Sequence, residues 1–257
     1  MALEAYLTWW KLAQLLIVAA VAIYTFRKEM LNGTGAATAF VMGAVIVIAT
    51  DIFWLFLLFA LLGLGSAATK FKFKEKESIK VAEKGGGKRR SRNVIANGGI
   101  PMLIAALAVV ADTFGGITVI AVTYTCAIAA ASADTLASEF GSLAKKVRMI
   151  TTLKRVPPGT DGGVSLQGQM AAAGGALVIS LLSLLFLGLL SGDLPVAPPS
   201  LAVTLIPVVA GFFGCQVDSL VGATLETRGL VTKEEVNAIG IASGAALGLA
   251  LVLLFGA

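Results

Sequence analysis

Residues 36–68 read AATAFVMGAVIVIATDIFWLFLLFALLGLGSAA, and Asp51 is the only charge among them. About 20 helical residues cross a hydrocarbon core of ~30 Å, so this stretch is too long for one ordinary span. Thr50-Asp51 lies at its middle, where a polar pair suits a tight turn, so the run is read as two short helices. The long apolar runs show no sustained two-residue alternation, which argues against a β-barrel. In lipid the backbone must then satisfy itself within each segment, which means helices.

The rest of the chain has the same character. It is 57% hydrophobic and 14% charged, against about 25% charged in a soluble domain, so lipid is its main solvent. Further spans are read at about Leu7–Phe26, Asn93–Val110, Ile117–Ala137, Gln169–Leu190, Leu201–Val217 and Glu235–Phe255. The result is an all-α, polytopic membrane protein of about eight short helices, taken as a single membrane domain over residues 1–257. Abundant glycine and alanine suit close helix packing. Cys126 and Cys215 lie in apolar stretches and read as small buried hydrophobes. The lack of histidine excludes His-based acid–base chemistry and His-ligated metals. Met1–Trp10 lacks a basic n-region, so the first apolar run is expected to be a retained helix.

Eight spans send alternate loops to opposite sides. One side receives the Asp51 and Asp112 turns and the 191–200 loop, with both termini, and carries a single basic residue, Lys11. The other receives the loops near 27–34, 69–92, 138–168 and 218–234, and with them every other Lys and Arg. The positive-inside rule makes this second side cytoplasmic and leaves both termini outside. The excess of basic residues beside spans points to membrane lipid and phosphate as partners, not to nucleic acid.

Three features converge on that expected cytoplasmic side. The first is the basic loop, about residues 69–92, with ten cations and three acids between Lys70 and Arg92. Within it Gly85-Gly86-Gly87 lets backbone N–H groups approach a ligand, flanked by Lys84, Lys88, Arg89, Arg90 and Arg92. A topology signal with affinity for anionic lipid explains it as well as a polyphosphate site does, and no Walker A pattern is present. Asn97 follows at membrane depth and needs a partner, either a helix-packing hydrogen bond or a nucleotide. The second is a pair of acidic helix ends, Ser132-Ala-Asp134-Thr135-Leu-Ala-Ser138-Glu139 and Val217-Asp218-Ser219-Leu. Carboxylates near a membrane boundary cost free energy unless paired or metal-bound, and Asp134 with Asp218 suits Mg²⁺; ion pairs with nearby Lys and Arg are the plainer alternative. The third is the Gly-rich loop, about residues 138–168, where Lys154-Arg155-Val-Pro157-Pro158-Gly159-Thr160-Asp161-Gly162-Gly163-Val-Ser165 reads as a shaped non-helical segment able to wrap phosphates. Asp112 looks similar locally but falls on the outer side, as a turn.

The blocks Asp134–Gly141, Thr151–Gly168 and Asp218–Glu226, with the basic Lys84–Gly98 block, resemble the signature blocks of the integral membrane family that includes plastid phytyl-phosphate kinase. That family is more distantly similar to dolichol kinase and to the CTP-dependent cytidylyltransferases. The resemblance implies transfer of a γ-phosphoryl group from CTP, or UTP, to an isoprenoid alcohol or monophosphate with a divalent metal. On that expectation Asp134 and Asp218 hold Mg²⁺, and Lys84, Lys88, Arg92 and Lys154 neutralise phosphates. Thr160, Gly162, Gly163 and Ser165 cradle them, Asn97 and Ser138 orient the nucleotide, and Glu139 or Asp161 accepts a proton. A cytidylyltransferase acting on a lipid phosphate is the alternative within enzymes. A transporter is the alternative outside them, and it predicts charges at mid-bilayer and paired broken helices.

Overall fold

The computed structural model describes residues 9–82, 88–114, 116–189 and 201–255. Helices α1 (Trp9–Arg27), α2 (Gly33–Ala49) and α3 (Ile52–Lys70) come first. A short α4 (Phe73–Ser78) follows, and then α5 (Ser91–Ala106), α6 (Ile117–Gly141), α7 (Leu166–Ser183), α8 (Leu201–Val221) and α9 (Lys233–Phe255). Seven of them, counting the turns that extend α5, α7 and α8, are long and apolar enough to cross a membrane, and α2 is a shorter apolar helix. The protein is an integral membrane protein, and among the described residues eight apolar helices stand where the eight spans are read.

The turn that decides the fold is built as its residues suggest. Thr50 ends α2, its hydroxyl donating to Ile46 O at 2.7 Å. Asp51 then caps α3, its side chain accepting from Phe53 N at 2.7 Å. Carboxylates are preferred at this position because they satisfy an N–H that the helix cannot. Asn32 does the same for α2 through Gly35 N.

Several helices run beyond their expected ends, and the differences matter to the site. Helix α6 continues past Ala137 to Gly141, α8 continues past Val217, and α7 starts at Leu166 with Ser165 as its cap. Hydropathy ends a span where polar residues begin, but the backbone hydrogen-bond ladder does not stop there. Asp134, Ser138, Glu139 and Asp218 are therefore side chains on continuous helix. At 25 residues, α6 measures about 37 Å at 1.5 Å per residue, longer than the hydrocarbon core.

The segment between α6 and α7 is non-helical as expected, but it carries a small sheet that the sequence reading does not contain. Strands β1 (Val147–Met149), β2 (Arg155–Val156) and β3 (Gly163–Val164) pair antiparallel in the order β2-β1-β3. Strands of two or three residues are too short to show alternation.

Helix α6 is the axis of the bundle, packing against α3, α5, α7, α8 and α9. It meets α8 and α9 through small residues: Ala129, Ala130 and Ala131 are buried, opposite Gly211, Gly214 and Gly244. A methyl group added at Gly214 would lie 2.6 Å from Gly240 O and 2.7 Å from the Ala130 Cβ. Lipid supplies no hydrophobic drive between helices, so such backbone-to-backbone approach is what holds them together. On the other flank the Tyr124 hydroxyl donates to Trp54 O at 2.8 Å, tying α6 to α3. Both cysteines are buried and free.

Candidate functional site

Asp134 on α6 and Asp218 on α8 face each other, with their carboxyl groups within hydrogen-bonding reach. Both are half-buried. Close packing of α9 completes the walls: a methyl group at Gly240 would lie 3.0 Å from the Asp218 Cβ. The Asn237 amide, turned so that its nitrogen faces them, reaches Asp218 Oδ2 at 3.3 Å and Lys233 O at 3.1 Å. Lys233, at the start of α9, places its positive charge near Asp134, Asp218 and Glu226.

This pair lies in a cavity of about 190 Å³ between α6, α7, α8, α9 and the Gly159–Ser165 loop. Of the residues singled out from sequence, Asp134, Ser138, Glu139, Thr160, Asp161, Gly162, Gly163, Ser165 and Asp218 all line it. The loop is seated on α8 by Gly162, whose φ is +73° and whose position leaves no room for a side chain, because a Cβ there would overlap that of Ala223. Thr160 and Ser165 shape the loop: Thr160 Oγ1 donates to Pro157 O at 2.8 Å, and Ser165 Oγ accepts from Gly168 N at 3.1 Å.

Other expected ligands stand apart. Lys88 is exposed and pairs with Glu29 at 2.9 Å, a hydrogen bond that holds the Glu29 carboxyl below its ordinary range. Arg92 and Lys154 are exposed and do not line the cavity. Lys84 and Gly85–Gly87 lie outside the described residues. Asn97 donates to Asn93 O at 2.9 Å within its own helix and sits behind the acidic pair, sharing a narrow gap with Asp134, Asp218 and Asn237.

Glu139 lines the cavity, yet both of its oxygens are engaged. Oε1 accepts from Thr69 Oγ1 at 2.6 Å, and Oε2 accepts from Lys76 Nζ at 2.5 Å. Lys76 is 1% exposed and also donates to Ala68 O at 2.7 Å. One cation of the basic loop thus straps α4 and the end of α3 to α6.

The sequence reading did not single out Lys233, Asn237, Gln169 or Gln216. Gln169 and Gln216 exchange hydrogen bonds of 3.1 and 2.9 Å across α7 and α8 at the cavity wall. Lys233 and Asn237 are four apart, hence on one helix face, directly after a polar break. That spacing was the available signal.

Among the described residues no three His, Cys, Asp or Glu side chains gather as a metal cluster. Two facing carboxylates nevertheless suit Mg²⁺, which takes one or two carboxylates and completes its shell with water and substrate phosphates. Their mutual repulsion is poorly screened away from bulk water, and a cation between them removes it. The donor set therefore fits a divalent ion held by Asp134 and Asp218.

Comparison with known proteins agrees with the fold. An uncharacterized membrane protein of Methanocaldococcus jannaschii is 31% identical over 91% of this chain and 91% of its own length. One from Synechocystis is 32% identical over 92% of this chain and 87% of its own. The chloroplastic protein VTE6 of Arabidopsis thaliana is 29% identical over 83% of this chain and 63% of its own length. No solved structure matches. The model of the family described as integral membrane protein DUF92 matches residues 16–252, nearly the whole chain, so the protein belongs to that family.

Proposed function

We propose that the protein is a membrane lipid kinase that transfers the γ-phosphoryl group of CTP or UTP to an isoprenoid monophosphate or alcohol. The observation that carries this reading is the facing Asp134–Asp218 pair inside a cavity lined on one side by the Gly159–Ser165 loop. The resemblance of the sequence blocks to the family that includes plastid phytyl-phosphate kinase supports it, as does relatedness to a chloroplastic protein.

Phosphoryl transfer depends on positioning and charge neutralisation more than on covalent chemistry. A bound Mg²⁺ supplies charge neutralisation on the triphosphate oxygens. Asp134 and Asp218 would hold it, and Lys233 brings a second positive charge to the same place. The glycine-rich loop closes over the phosphates. An acceptor oxygen forms a bond to the γ-phosphorus as the bond to the β-phosphate oxygen breaks, and the nucleoside diphosphate leaves. With an alcohol acceptor the proton goes to Asp161, which lines the cavity while Glu139 is held by Lys76. A monophosphate acceptor needs no such base. On the positive-inside reading of the sequence, this cavity faces the cytoplasm.

The test is purified protein incubated with α- or γ-labelled CTP and UTP and a panel of prenols and prenyl monophosphates. Label from the γ position in a prenyl phosphate or diphosphate is expected. Label from the α position instead shows a cytidylyltransferase, and no transfer to any acceptor refutes both.

A further inference from the structure

A second cavity, of about 80 Å³, lies between α2, α3 and α5, walled by Ala39, Met42, Leu55, Leu58 and Phe59. Its polar lining comes from Arg89, Asn93 and Asn97. Arg89 is fixed at its backbone, where its N–H donates to Met30 O at 3.0 Å and its carbonyl accepts from Asn32 N at 3.1 Å. Its guanidinium reaches into the bundle: a methyl group at Gly65 would overlap Nη2 and would lie 3.2 Å from the Thr135 Cγ2. Arg89 thus arrives beside the residue that follows Asp134. Asn97 belongs to both places, lining this groove on one side and the gap beside Asp134 and Asp218 on the other.

An apolar groove among membrane helices that ends at a guanidinium and amides fits an amphiphile with an anionic head. A planar guanidinium favours phosphate through paired hydrogen bonds. The volume admits the first few carbons of one chain, not a pair of chains. We infer that this groove holds the head-proximal end of a single-chain isoprenoid monophosphate, with Arg89 on its phosphate and the remaining chain in the bilayer. The inference rests on the proposed lipid kinase reading for its placement beside the acidic pair. Because the groove is short, it reads the head and the first isoprene units, and chain length beyond them matters little.

The experiment measures binding of geranylgeranyl monophosphate and geranylgeraniol to the purified full-length protein in detergent, without nucleotide, by native mass spectrometry. Arg89→Ala is expected to weaken monophosphate binding by roughly tenfold or more and alcohol binding far less. Gly65→Ala displaces the flexible end of Arg89 and reproduces the effect in part. Ala39→Phe fills the groove and weakens both ligands. Geranyl monophosphate binds within about threefold of the longer ligand. Unaltered monophosphate binding in both Arg89→Ala and Ala39→Phe, each with a native melting profile, overturns the inference, as does failure of the native protein to bind. Binding as described without any phosphoryl transfer leaves the groove standing and removes the kinase. Transfer to prenyl monophosphate that is indifferent to the groove variants does the reverse.

Discussion

The two ends of the bundle each hold acids at a helix boundary, and they use them differently. At the Asp51 end the residues of the turn have local tasks. Asp51 caps α3, the Thr50 hydroxyl returns to its own helix, and the Lys11 ammonium donates to the carbonyls of Val47, at 3.1 Å, and Thr50. At the opposite end Asp134 and Asp218 are aimed at each other from different helices, with glycines around them. A charge spent on closing a turn reports on folding. A charge aimed at a like charge costs stability unless something arrives between them, and the proposed site rests on that difference.

The contrast can be broken most directly at the carboxylates themselves. Asp134→Asn and Asp218→Asn should each lower phosphoryl transfer by about 10³-fold or more with the melting temperature intact, whereas Asp51→Ala, which removes the cap of α3, should lower the melting temperature and spare the transfer. Near-normal turnover in either site variant would end the metal assignment, and Asp112→Asn serves as a further control. Next in size is the Lys76–Glu139 pair, which belongs to the site end but acts as a strap. Lys76→Met should destabilise by about 3 kcal/mol, because it leaves a mostly buried carboxylate without its cation. In denaturant titrations the double variant with Glu139→Gln should recover part of that loss. Gly162→Ala comes third: a left-handed residue with a Cβ costs about 1–2 kcal/mol. Since the loop is the part that yields, the expected readout is a raised nucleotide KM together with a loss of stability of about that size. The smallest effect belongs to the exposed Lys88–Glu29 pair, where Lys88→Ala should change neither melting nor nucleotide KM; a large rise in KM would return Lys88 to the phosphate site.

The membrane architecture was legible because lipid imposes strict limits on length and polarity. The Thr50-Asp51 turn could be read from two residues for that reason. The carboxylates at 134 and 218 stood out as charges at apolar helix ends, and the structure brings them together. The partners of the basic loop's cations were not legible, because charge density says nothing about which group each one meets. Among its cations Lys76 is buried against Glu139, 63 residues away, Lys88 meets Glu29, and Arg89 threads between helices. Pairings over such distances depend on how the bundle closes, which no local pattern records. Lys233 and Asn237 were missed because α9 reads as an ordinary amphipathic start, with Thr232 and Glu235 forming its cap.

The glycine contacts of α6, α8 and α9 have a consequence for ion choice. Where helices touch backbone to backbone, the spacing of the side chains they carry is set by main-chain geometry and not by adjustable rotamers. With α9 against the Asp218 Cβ and α8 against Ala129, the two carboxylates have little freedom to spread. Calcium takes six to eight oxygens in a loose shell, while magnesium takes six at short distances. A gap that cannot widen selects against the larger ion, so on the proposed reading Ca²⁺ should occupy the site poorly and fail to support transfer.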